Sequence, residues 1–146
     1  MTVTIRHAGP GDEPAIVRLV QELAVAIHGR SAADEHYVRR YLASPDTSIL
    51  LATDERNVVG MLSYATRPGL LRAGDCAEID TLVVLADRRH EGIGKRLLRT
   101  GMRLMREAGC VAISVSVEPD DELAQEICLD AGLTDALMRL EMNLSS

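Results

Sequence analysis

Apolar positions recur along the chain with two periods, and the points where the period changes mark the elements. Val3-Thr4-Ile5-Arg6 alternates as a short strand, and Gly9-Pro10-Gly11 stops it. Asp12 suits an N-cap with Pro14 in the first turn, and Ile16, Leu19, Val20, Leu23 and Ile27 then keep helical spacing until Gly29. A weaker helix over 33–42 gathers Tyr37, Val38, Tyr41 and Leu42 on one side before Ser44-Pro45-Asp46 breaks it. Strands are predicted over 48–53, 58–65 and 77–84, joined by a turn over 54–57 and a loop over 67–75. From Gly92 the period is helical again: Ile93, Leu97, Leu98, Gly101, Leu104, Met105 and Ala108 share a face up to Gly109. Residues 111–117 alternate as a strand, 122–131 follow as a short helix closed by Gly132, and 137–144 form a last predicted strand. No repeat or linker interrupts this order, which is that of one mixed α/β domain.

Composition sharpens the picture in two places. Phe and Trp are absent and aromatics make up 2% of the 146 residues, so the core must be aliphatic. The net charge is −6, which argues against a generally basic nucleic-acid surface. The charge is unevenly spread, however: residues 87–106 carry seven Lys and Arg against Asp87 and Glu91. The N-terminus lacks the apolar core of a signal peptide, and no apolar run approaches the ~20 residues that span a bilayer, so a cytoplasmic protein without membrane contact is expected. Cys76, Cys110 and Cys128 are widely spaced and fit free, mostly buried thiols. His7, His28, His36 and His90 show no metal-ligand spacing, and no metal is expected.

The basic island coincides with the most informative stretch, in which a buried strand over 79–84 runs into a turn with Gly92 and Gly94 and a helix starts at once. Such a turn presents free backbone N–H groups and the positive end of a helix dipole, and glycine lets an anion approach closely. Lys95, Arg96 and Arg99 add charge. A P-loop is excluded because Arg89 and Arg96 stand where Gly and Ser or Thr are needed, and a dinucleotide fingerprint is excluded by Leu97.

Arg89-x-x-Gly92-x-Gly94 after Leu82-Val83-Val84 resembles the pyrophosphate-binding signature of the GNAT superfamily of N-acetyltransferases. The resemblance extends to Ile5-Arg6-x-Ala-x-x-x-Asp12 ahead of the first helix, and to Ala124-x-x-Ile127 leading to Ala131-Gly132-Leu133. It implies a single domain over 1–146, with a central mixed, mostly antiparallel sheet of six to seven strands flanked by about four helices. It further implies acetyl-CoA as co-substrate, held by the backbone of Leu82, Val83 and Val84 and by Arg89, His90, Glu91, Gly92, Ile93, Gly94, Lys95 and Arg96, with Asp121 and Cys128 completing the groove. Three positions depart from the family pattern, where Asn usually stands at Asp121, Tyr at Cys128 and Phe at Leu133. The tyrosine is the proton donor in the resembled family, so Cys128 is expected to pack rather than to protonate, with Tyr64 in reserve.

Glu78 and Asp80 lie two apart on a strand and therefore share a face. A carboxylate there could take the proton of an attacking amine, or only orient it. Glu78 is preferred as base, because it precedes Arg89 by the spacing of the glutamate base in some family members. The expected reaction is acetyl transfer to a small-molecule or peptide amine by direct attack, the protein being monomeric or a homodimer. A non-catalytic acyl-CoA-binding sensor or interaction module is the alternative.

Overall fold

The computed structural model describes residues 2–27 and 29–145; His28 lies outside the described residues, as do both terminal residues. Five strands form one sheet in the order β1 (Thr4–His7), β2 (Thr47–Thr53), β3 (Val58–Gly69), β4 (Gly74–Val84) and β5 (Ala112–Val115). The first four run antiparallel, and β5 joins β4 in parallel. Helices α1 (Glu13–Ala26) and α2 (Glu35–Ala43) connect β1 to β2, α3 (Ile93–Glu107) connects β4 to β5, and α4 (Glu122–Asp130) follows β5. No helix among the described residues is long and apolar enough to cross a membrane.

The alternation of each strand sends side chains into two cores. Ile49, Leu51, Met61 and Val83 pack with Ile16, Leu19 and Val38 on the α1/α2 face. Leu50, Leu62, Ala77 and Ile79 pack with Ile93, Leu97, Leu98 and Met105 of α3 on the other. Helix α3 approaches closely because two glycines leave room. A Cβ on Gly101 would lie 3.2 Å from a Leu62 methyl, and one on Gly60 would lie 3.1 Å from Leu97.

Four expectations need correction. Among the described residues the sheet has five strands, not six to seven, and no strand forms over 137–144, where Leu137, Met138, Leu140, Met142 and Leu144 stay exposed without a ladder partner. The expected loop over 67–75 is the end of a long β3–β4 hairpin, paired as far as Gly69 and Gly74 with its turn at 70–73. Pro68 could occupy a strand there because it lies toward the hairpin's tip, outside the part of the sheet that central pairing demands. Met102, not Ala108, completes the buried face of α3. Asp12 stands at the N-cap of α1 as expected, but its side chain makes no capping bond; the carboxylate accepts the Gly9 N–H at 2.8 Å and pairs with Arg6.

Candidate active site

The parallel β4–β5 ladder runs from Cys76↔Ala112 to Ile79↔Val115 and stops. Strand β4 continues to Val84, still paired with β3 through Thr81↔Ser63, Leu82↔Leu62, Val83↔Met61 and Val84↔Gly60. From Asp80 onward, therefore, β4 has a hydrogen-bonding edge with no strand beside it among the described residues, and Leu82, Val83 and Val84 all lie along it. One of its acceptors, the Val84 carbonyl, takes a hydrogen bond from Arg89 Nε at 3.2 Å.

The open edge leads directly into the glycine turn. A short 3-10 turn over Ala86–Arg88 is followed by extended Arg89, then His90 with φ 71°, Glu91, and Gly92 with φ 79°. Two left-handed residues separated by one form the kind of backbone concavity whose N–H groups converge on an anion. Gly92 is the N-cap of α3 and makes no side-chain capping bond, so the N–H groups of Ile93, Gly94 and Lys95 precede the first intrahelical acceptors. No acidic residue stands in that first turn. Lys95, Arg96 and Arg99 are exposed and have no ion-pair partner among the described residues.

Glu91, the acid inside the basic island, is turned aside. It pairs with Arg88 Nε at 2.9 Å, which holds its carboxyl below the ordinary glutamate range. Arg88 in turn reaches Asp54 in the β2–β3 turn at 2.7 Å, with little of either side chain left exposed. Asp54 is held down to about 2, first by the backbone N–H groups of Arg56 and Asn57 and then by Arg88. This Asp54–Arg88–Glu91 chain ties the turn to the sheet, a role that spacing alone did not reveal. Farther along α3, Arg103 pairs with Glu107 at 3.2 Å on the solvent face.

Asp80 occupies an irregularity. The β3–β4 register passes from Ser63↔Thr81 to Tyr64↔Ile79, leaving Asp80 as the extra residue of a β-bulge. The broken alternation Ile79-Asp80-Thr81-Leu82, with its two polar residues between two apolar ones, is the sequence signal for it. The bulge and the end of the β4–β5 ladder meet at the same residue. Asp80 is open to solvent yet crowded by protein, and burial, then the charge of Glu78, raises its carboxyl above the ordinary range, with Arg139 opposing. Glu78, by contrast, is paired with Arg139 at 3.4 Å.

A polar cluster adjoins Asp80. Ser63, 4% exposed, shares a 2.6 Å hydrogen bond with the Thr81 hydroxyl. The Tyr41 hydroxyl from α2 is buried without a hydrogen-bond partner among the described residues; burial first pushes its pKa above the ordinary phenol value, Asp80 and Tyr37 add to the rise, and Ser63 opposes it. An unmet buried hydroxyl costs about 1–3 kcal/mol. Tyr41→Phe is accordingly expected to raise stability by about 1 kcal/mol in chemical denaturation. A loss of that size would mean that Ser63 already satisfies the hydroxyl.

A family model described as the acetyltransferase (GNAT) family matches residues 15–129. The chain belongs to the GNAT acetyltransferase family. No curated protein matches the sequence. Among solved structures, a transcriptional regulator from Bacillus halodurans C-125 superposes with a TM-score of 0.87 at 22% identity, over 98% of this chain and 100% of its own. An aminoglycoside acetyltransferase from an uncultured soil metagenomic sample, in complex with sisomicin, gives 0.82 at 18% over 99% and 96%. Glucosamine-6-phosphate N-acetyltransferase from Arabidopsis thaliana gives 0.81 at 19% over 99% and 100%. At these identities the likeness establishes the fold.

Two further residues of the GNAT resemblance sit on α4. Asp121 is its N-cap and accepts the Ala124 N–H at 3.1 Å. Cys128 is 5% exposed within the α3-side core, and burial, then the charge of Asp121, pushes its thiol up. Tyr64, the reserve donor, is buried in that same core.

Proposed function

We propose that this GNAT domain, spanning 1–146, transfers an acetyl group from acetyl-CoA to an amine in a ternary complex. The reading rests above all on one juxtaposition: the free edge of β4 begins at Asp80 and runs straight into the N–H-rich turn before α3. An extended amide chain suits the first part, and a pyrophosphate suits the second. In this reading the backbone of Leu82–Val84 takes the pantetheine, and the 89–96 turn takes the phosphates, with Lys95 and Arg96 supplying charge. Arg89 would release Val84 as the ligand enters.

The neutral amine nitrogen attacks the thioester carbonyl carbon, the C–N bond forms, the C–S bond breaks, and CoA leaves as thiolate. Asp80 is the stronger candidate to accept the amine proton, because it has no ion-pair partner among the described residues and its basicity is raised, whereas Glu78 is engaged by Arg139. Glu78 then orients a cationic acceptor. The acidic balance outside 87–106 suits such an acceptor.

CoA thiolate is a stable anion near pH 8, so its departure depends little on an acid. Cys128→Ala is expected to keep kcat within about tenfold of the parent, below the usual general-acid contribution. A loss beyond about 10² with acetyl-CoA affinity intact would make the thiol the acid.

The burial of Cys128 at the family's tyrosine position favours a second reading, a sensor that binds acetyl-CoA without turning it over. Calorimetric titration with acetyl-CoA followed by CoA-release assays on a panel of amines tests both. Binding with turnover supports the enzyme, binding without turnover supports the sensor, and no binding removes both.

A further inference from the structure

The bulge at Asp80 changes which side chains share a face. Ile79 packs in the α3-side core and Val83 in the α1/α2 core, so alternation counted inward from each sets Asp80 and Thr81 together on the α1/α2 face. Ser63 stands on that face too, between Leu62 and Tyr64 of the opposite core, and shares its hydrogen bond with Thr81 there. Tyr41 reaches the same place from α2, packed against the α1/α2 core. Its hydroxyl is shut off from solvent and has no hydrogen-bond partner among the described residues. Asp80 lies near enough for its charge to disfavour the phenolate. A buried hydroxyl left unmet beside a reactive carboxyl is kept at a cost to stability.

The proton decides what can meet that hydroxyl. Ionised Asp80 keeps to the solvent-exposed mouth, because carrying a charge inward is costly. Protonated Asp80 is free of that cost and carries an O–H donor. We propose that Tyr41 is a positioning residue for acetyl transfer, its hydroxyl oxygen accepting a hydrogen bond from the protonated carboxyl of Asp80. This rests on the reading of Asp80 as proton acceptor. The proton leaving the acceptor nitrogen passes to an Asp80 oxygen, the new O–H turns inward to Tyr41, and the proton later returns to water. The bond forms only with the protonated acid, so Tyr41 makes Asp80 a stronger base without adding charge. Glu78 and Arg139 are the charged groups that act on Asp80, and Tyr37 is the other titratable group beside Tyr41.

A bond that favours the protonated acid in the folded chain contributes stability at low pH, and that contribution is lost as pH rises through the Asp80 titration. Chemical denaturation at about pH 7 and about pH 4 reads this without turnover. Tyr41→Phe is expected to be more stable than wild type at neutral pH and to lose that advantage in acid. Asp80→Asn carries an N–H donor at every pH, so in that background Tyr41→Phe is expected to lower stability at neutral pH. Should acid unfold the chain, this neutral comparison carries the test. In turnover, Tyr41→Phe is expected to lose about three- to tenfold in kcat/KM for the amine, with the acidic limb moved to lower pH and acetyl-CoA affinity unchanged. An advantage that is the same at both pH values and in both backgrounds overturns the proposal. A loss of stability in Tyr41→Phe alone at neutral pH does so too, because Ser63 would then already hold the hydroxyl. Full activity in Asp80→Asn removes the reading of Asp80 as base and Tyr41's part with it. An inactive Asp80→Asn with an unmoved limb in Tyr41→Phe overturns the part of Tyr41 alone.

Discussion

Asp80→Asn is expected to lower kcat/KM for the acceptor amine by at least about 10²-fold near neutral pH, the ordinary contribution of a general base. Acetyl-CoA affinity should be nearly unchanged, because the substitution removes a proton acceptor and leaves the β4 edge and the glycine turn alone. Glu78→Gln is expected to cost less than about tenfold, since its carboxylate is already held by Arg139. The pH dependence adds a second readout. Burial and the charge of Glu78 raise the Asp80 carboxyl, so the acidic limb of the kcat/KM profile should lie above the ordinary aspartate range and vanish in Asp80→Asn. The sign for stability is opposite to that of a salt-bridged acid. A carboxyl whose folded-state value is raised stabilises the fold when protonated, and that advantage is lost as pH rises through the raised value. Asp80→Asn should therefore be at least as stable as the parent at neutral pH, so a fall in rate cannot be laid to unfolding. A large loss in Glu78→Gln with a mild Asp80→Asn would reverse the roles, and mild effects in both would leave deprotonation to water.

The parts of the molecule legible in the sequence are those in which one period holds over several turns or pairs. Helix α3 is the clearest case: its apolar face, the Gly92 entry and the Gly109 exit, with φ 88°, are written in spacing and glycine placement. The glycine turn was legible for the same reason, since a strand running through glycines into a helix start is written in residue types alone. What pattern could not supply was anything set by pairing across the sheet. The bulge at Asp80 shifts the register by one residue, and a strand read in isolation has no register. The 137–144 segment has the alternation of a strand, yet alternation specifies a face and not a partner. The Asp54–Arg88 link joins residues 34 apart, and only the folded sheet brings them together. Preference between Glu78 and Asp80 likewise turned on Arg139, which belongs to a segment 61 residues away from Glu78.

The second large effect concerns the turn itself. Gly92→Val is expected to weaken acetyl-CoA binding at least about tenfold by calorimetry, equivalent to about 1.4 kcal/mol. Two causes combine. The residue adopts φ 79°, where a side chain strains the backbone by roughly 1–2 kcal/mol and would draw the turn out of its concave shape. A Cβ on Gly92 meets no protein atom within 4 Å, so its bulk would project into open space beside the N–H groups of Ile93, Gly94 and Lys95 rather than into the fold. Gly94→Ala separates the two causes. Gly94 carries no left-handed φ, and its added Cβ would lie 3.7 Å from a Val84 methyl, an ordinary contact, so the fold should accept it. If the backbone here approaches phosphate closely, Gly94→Ala should still lose affinity while its thermal unfolding matches the parent. Undiminished affinity in a folded Gly92→Val protein would remove the phosphates from this turn. Loss in Gly92→Val with none in Gly94→Ala would trace the effect to the left-handed geometry at the helix entry.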